Sequence, residues 1–277
     1  MIYLILAIVS SMLVSVIMRV SEKYSRNNLS MLAMNYLMCS ILGMMQTGRM
    51  ELFPAHGGLP LTLGLGVISG MLYLGGFALY QWNIRRNGVV LPATFMKLGV
   101  IVPTLMAMLV FGEHPRMIQI AGIVAAIAAI LLMQGKGEQR DRSIGALVLL
   151  MLAGGGADGM SKIFEELGPA ELKGHFMMYT FAVALILCVI LCLVKGQKLA
   201  LPDALFGLAI GVPNYFSSWF LLLSLEYVPA TVAFPSFSVG TIIAVALVSA
   251  ICFRERLGRR KLLALGVILA ALAMLNL

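Results

Sequence analysis

The chain has 277 residues, of which 61% are hydrophobic and 12% charged, with a mean hydropathy of +0.98. Soluble domains carry about 25% charged residues, so this composition excludes a soluble globular enzyme or binding module and implies a polytopic membrane protein. The formal net charge is +8, but the basic residues fall in short loops between apolar runs. That is the membrane-topology pattern, not a nucleic-acid surface.

Ten apolar segments follow in order, at roughly 3–20, 29–46, 60–84, 89–111, 116–134, 143–163, 174–194, 203–225, 230–252 and 261–276. Most are near the ~20 residues that an α-helix needs to cross the hydrocarbon of a bilayer. The first begins at Met1 with no basic run before it and no small-residue cleavage site after it, so it reads as a retained helix and not a signal peptide. The connections are short, the longest being Thr47 to Leu59 and the polar linker Gln134 to Ser143. All four cysteines (Cys39, Cys188, Cys192 and Cys252) lie in apolar runs and read as small buried hydrophobes.

The stretch from Gly88 to Met133 is two apolar segments joined by the knot Gly112-Glu113-His114-Pro115-Arg116. It is written again from Pro229 to Leu275: Phe95 falls on Phe237, Phe111 on Phe253 and Glu113 on Glu255 at one offset, and a two-residue gap then brings Gly122 onto Gly266. The match extends further. Ser11, Ser15, Arg19 and Glu22 fall opposite Gly154, Asp158, Lys162 and Glu165, each set on one helix face. Pro60 matches Pro202, and Gly75-Gly76 matches Ser217-Ser218. The chain therefore divides into residues 1–135 and 136–277, two five-helix repeats. Five is odd, so the second repeat is expected upside down in the bilayer.

Loop charges agree with inversion. The loop after the first segment has Arg19, Lys23 and Arg26 against Glu22, whereas its counterpart adds Glu165, Glu166 and Glu171 to Lys162 and Lys173. Arg85 and Arg86 follow the third segment, and no basic residue follows the eighth. A single Arg116 follows the fourth, against Arg254, Arg256, Arg259, Arg260 and Lys261 after the ninth. Loops after odd-numbered segments would then be cytoplasmic, with both termini outside.

The repeated helix–Gly/Arg-Glu–knot–Gly-centred helix pattern, with Leu225-Glu226-Tyr227-Val228-Pro229-Ala230-Thr231 before the ninth segment, resembles the ten-helix EamA-type branch of the drug/metabolite transporter superfamily. The motif residues are Pro103, Gly112, Glu113 and Gly122 in one half, and Pro229, Ala230, Glu255 and Gly266 in the other. The resemblance covers nearly the whole chain. It implies an all-α, inverted-repeat carrier in a bacterial inner or plasma membrane, with a central cavity lined by segments 1, 3, 4, 6, 8 and 9. Its members are similar to exporters of amino acids, metabolites and drugs, and their termini are taken to be inside, opposite to what the loop charges favour here. Lys97 departs from the pattern, which more often has an apolar or small residue there.

A charge inside a membrane segment costs about 2.5–3.5 kcal/mol at a helix centre, so it persists where it meets water, a partner or a substrate. Lys97 lies about eight residues, or ~12 Å, into the fourth segment. It reads either as a lysine reaching for the interface or as a cavity-facing group that binds an anion or carries a coupling proton. Asp158 follows Gly154-Gly155-Gly156 on the sixth segment and either faces the cavity or pairs with Lys162 four residues on. Asn214 is a mid-membrane amide that needs partners; Tyr215 stands beside it. Tyr80 lies on the third segment in a stripe with Ser69, Tyr73 and Asn83, and Ser238 lies on the ninth with Thr231, Thr241 and Ser249. Lys97, Asp158, Asn214, Tyr215, Ser238 and Tyr80 are the expected substrate-binding residues; the small residues around them also serve helix packing.

Glu113, Glu255, Arg19 and Lys162, near helix ends, are expected to cap loops or gate. Pro92, Pro103, Pro213 and Pro235 are candidate kinks or hinges. Trp82 and Trp219 are candidate interfacial anchors. His56, His114 and His175 sit near loops, with no His/Cys/acid clustering that suggests a metal, and no cofactor is expected. No metalloprotease, nucleophile-elbow or phosphate-loop motif occurs, so no enzyme activity and no direct use of ATP is expected. The leading expectation is a secondary active transporter that moves a small, amino-acid-like, zwitterionic or anionic metabolite by alternating access. The alternatives are a lipid-headgroup flippase and a structural membrane subunit. Its partners would be that substrate, the lipid bilayer and a coupling proton; the oligomeric state is open, a monomer included.

Overall fold

Once the apolar runs form helices, every backbone amide within hydrocarbon is paired inside its own segment. The computed structural model describes residues 1–48, 51–87, 90–133, 144–252 and 259–277. Its α-helices are α1 (Ile2–Ser21), α2 (Asn28–Met45), α3 (Leu59–Asn87), α4 (Val90–Leu98), α5 (Ile101–Leu109), α6 (Met117–Met133), α7 (Ile144–Leu167), α8 (Lys173–Val194), α9 (Leu201–Ser224), α10 (Ala230–Cys252) and α11 (Arg259–Leu275). A 3-10 turn, Ala170–Leu172, leads into α8. Among the described residues, seven helices are long and apolar enough to cross a membrane, and three shorter apolar stretches accompany them. Glu255, Arg254, Arg256 and the linker between the two halves lie outside the described residues.

The fourth expected segment is broken into α4 and α5. Pro103 explains the place of the break: it has no N–H to give the carbonyl four residues back, which is that of Gly99. Gly99 O instead accepts from Val102 N at 2.9 Å, a tighter turn that ends one helix and starts the next. The break is pressed against α7. A Cβ on Gly155 would lie 2.1 Å from Gly99 O, so backbone meets backbone and neither residue tolerates a side chain. At the repeat offset Gly99 corresponds to Thr241 and Pro103 to Val245; without the proline, α10 runs unbroken.

Packing between helices follows an exchange pattern. α1 packs on α9, and its repeat counterpart α7 packs on α3. α2 packs on α9 as α8 packs on α3. α1 packs on α10 as α7 packs on α4 and α5. α2 meets α8 and α6 meets α11. Each contact maps onto another when the two halves trade roles.

Two sequence expectations change. Cys252 is exposed, and only Cys39 and Cys188 are buried outright, because Cys252 ends α10 on an outward face. Trp219 does not stand out as an anchor: it is half-buried and stacks on Tyr215 at 12° between ring planes. Trp82 is 40% exposed.

Candidate functional site

Lys97 lies in the last turn of α4, two residues before the helix gives way at Gly99 and Val100. It is exposed, although Leu98, Gly99 and Val100 beside it are buried. A cation in the last turn of a helix is favoured there by the helix dipole. Lys97 lies close enough to Asp158 on α7 for the two charges to interact. Asp158 is half-buried. It also acts electrostatically on Tyr73 of α3, whose hydroxyl hydrogen-bonds Ser218 Oγ of α9 at 3.3 Å. Charge and polarity from α3, α4, α7 and α9 therefore converge around Asp158. The glycines before it let α7 approach α4 closely, and α4 carries Lys97 to the same place. Of the two sequence readings of Asp158, the pairing with Lys162 is not the one seen: Lys162 is held by other acids, described below.

Asn214 has its partners inside the protein. Its Nδ2 donates to Asn35 Oδ1 at 3.2 Å, and Cys39 Sγ donates to Gly211 O at 3.3 Å, tying α9 to α2. Asn35 was not singled out from sequence, although an amide in an apolar run was the same signal that marked Asn214. Tyr215 is fully buried among Phe181, Phe216 and Trp219. Its hydroxyl has no hydrogen-bond partner among the described residues. Ser238 is buried on α10, and Tyr80 is half-buried on α3, on the same face as Tyr73 two turns away. The structure thus gathers Lys97 and Asp158, adds Tyr73 and Ser218, and sets Asn214 apart in a packing contact.

Charged groups tie the turn after α5 to α7 and α10. Gly112 has φ +67°, a left-handed conformation that a side chain rarely adopts, and it turns the chain after α5 so that glutamate follows at the tip. Glu113 then caps α10: its carboxylate accepts from Ala230 N at 3.0 Å, Thr231 N at 2.9 Å and Thr231 Oγ1 at 2.9 Å. Lys162 Nζ lies 3.0 Å from Glu113, 2.9 Å from Glu165 and 2.5 Å from Glu166, and 5.7 Å from the centre of the Phe111 ring. Lys162 is 3% exposed. Burial alone would raise the Glu113 pKa, but the bonds from Thr231, Ala230 and Lys162 outweigh it and hold the carboxyl below its ordinary value.

Arg19 holds on α1 the place that Lys162 holds on α7, and it donates to Ser249 Oγ on α10 at 3.3 Å. The carboxylate of Asp203, in the first turn of α9, accepts from Ser25 Oγ at 2.9 Å, Arg26 N at 2.7 Å and Asn27 N at 3.2 Å. Sequence reading passed over Asp203; its signal was an acid placed where a helix N-terminus favours one.

A protein of Haemophilus influenzae described as uncharacterized is 24% identical over 284 residues, spanning 96% of this chain and 93% of the relative. A solved crystal structure superposes with a TM-score of 0.74 at 13% identity, covering 99% of this chain and 94% of the other; at that identity the likeness concerns the fold. The model of the EamA-like transporter family matches twice, over residues 1–134 and 143–277. With apolar helices throughout and the family model matched over both halves of the chain, this multi-pass membrane protein belongs to the EamA-like transporter family.

Proposed function

We propose that the protein is a secondary active transporter of a small amino-acid-like metabolite, zwitterionic or anionic. The observation that carries this reading is Lys97: an accessible cation at a helix break, within charge range of Asp158 on the opposing half. Lys97 would take a carboxylate and Asp158 an ammonium group, with the Tyr73 and Ser218 hydroxyls beside them. A charge kept in a membrane segment at a cost of several kcal/mol is retained for such a purpose. Exchange of a proton at this pair would couple transport to the membrane gradient.

The halves, residues 1–135 and 136–277, would act as inverted repeats that rock against each other about this pair. The exchanged helix contacts and the Glu113–Lys162 ion pair support that motion. The host membrane would be the cell membrane.

The test is a thermal-shift screen of amino acids, organic acids and amines on wild type and Lys97→Ala, followed by counterflow of the hits in proteoliposomes. A bound ligand raises apparent stability by mass action. The expected result is stabilisation by a carboxylate-bearing compound, lost with its transport in the variant. Counterflow of that compound at wild-type rate by folded Lys97→Ala protein would overturn the assignment.

A further inference from the structure

A second site lies away from Lys97 and Asp158, at the end of the bundle where α1, α3 and α8 finish. A cavity of about 580 Å³ opens there between the α1–α2 turn, α3 and the α8–α9 turn. Its lining is polar and basic: Arg26 and Lys195 with the amides of Asn28, Gln81 and Gln197, and no acid among them. The turn that carries Arg26 is fixed from beneath by Asp203, whose one carboxylate oxygen is taken up by Ser25 and two backbone amides. It is tied across to the α8–α9 turn by the Asn27 side chain, which donates to Gln197. The cavity is therefore held in shape by bonds that leave both cations facing it.

A second hollow of about 240 Å³ adjoins it and shares Gln81 and Lys195. The rest of that hollow is Phe77, Ala78 and Trp82 of α3 with Leu191 of α8. Arg86 lies 4.4 Å from the centre of the Trp82 ring and steadies it at the rim. The two hollows form one amphipathic groove. A cationic, amide-lined head adjoins a mainly apolar hollow between α3 and α8.

We propose that this groove binds an anionic phospholipid. The phosphate would sit between Arg26 and Lys195, hydroxyls of the headgroup would meet Asn28, Gln81 and Gln197, and an acyl chain would follow Phe77, Trp82 and Leu191 along the α3–α8 seam. Charge complementarity selects an anion, and the apolar continuation selects a lipid over a soluble phosphate. Basic pockets between membrane helices select anionic headgroups for this reason. The inference is independent of the transport reading, because none of these residues belongs to the group around Asp158.

The test uses Trp82 as its own reporter. The chain has two tryptophans, so Trp219→Phe leaves Trp82 as the sole indole emitter. That protein is reconstituted with brominated phosphatidylglycerol or brominated phosphatidylcholine, and quenching is titrated. The expected result is half-quenching at a several-fold lower mole fraction of the anionic lipid. Arg26→Gln with Lys195→Gln should abolish that preference, each basic residue near the surface being worth about fivefold, while Lys198→Gln should leave it standing. Both cations are exposed, and size-exclusion profiles of the variants check that they fold. Equal quenching by the two lipids would overturn the proposal. So would a loss of preference in Lys198→Gln as large as in the double variant, which would mean diffuse surface charge. Displacement of the lipid by millimolar glycerol phosphate would assign the site to a soluble anion and refute the lipid.

Discussion

Replacing Glu113 by alanine removes the acceptor for Ala230 N, Thr231 N and Thr231 Oγ1, together with one of the three carboxylates around Lys162. Bonds to a charged group are worth about 1.5–3 kcal/mol each when buried, but Glu113 is half-buried, and the freed amides at the start of α10 regain water. Loss of a helix cap costs about 0.5–2 kcal/mol. Lys162 keeps Glu165 and Glu166, so no buried cation is stranded, and the total is about 2 kcal/mol. For a chain of this size that lowers Tm by about 4–8 °C, measured by tryptophan or thiol-dye melting in detergent. Glu113→Gln keeps a neutral acceptor and should lose roughly half as much.

The difference has a defined pH dependence. The folded pKa of Glu113 lies below the ordinary 4.5, so the carboxylate binds fewer protons folded than unfolded near that value. Its contribution is complete above pH 4.5 and disappears as pH falls through the lower folded value. The gap between wild type and Glu113→Ala should stay flat from about pH 5 to pH 8 and close below that range. Variants that melt within about 1 °C of wild type at neutral pH, or a gap that widens in acid, would refute the reasoning.

Gly155→Ala would drive a Cβ to 2.1 Å from Gly99 O, a clash with backbone that a rotamer change does not relieve. A loss of about 1–3 kcal/mol or more is expected, whereas Gly145→Ala, where nothing lies within 4 Å, should be neutral; equal melting of the two variants would remove the close contact. A double-mutant cycle on Asn35→Ala and Asn214→Ala should give a coupling of about 0.6–1.7 kcal/mol by chemical unfolding. Additivity within about 0.3 kcal/mol would mean that the two amides do not meet.

The apolar segments and the duplication are local or periodic properties, so they were legible in the chain itself; that Glu113 caps α10, far along the chain, was not. Apolar runs of membrane length declare helices, a constant offset declares a repeat, and a Gly-Glu pair after a helix declares a turn with a charge at its tip. Pro103 marked a kink from sequence, but that it splits the helix depends on Gly99 standing at the carbonyl it leaves unpaired and on α7 pressing there. The partners of each buried polar group were beyond sequence, because they are chosen across helices far apart in the chain. Lys162 reads as the natural mate of Asp158 four residues before it, yet it turns to Glu113 of the other half. Asn214 reads as a binding amide, and Asn35 claims it. Only the packed bundle decides which groups remain free. It consumes most of them in ties between helices, and leaves Lys97 exposed at a helix break with Asp158 within reach of its charge.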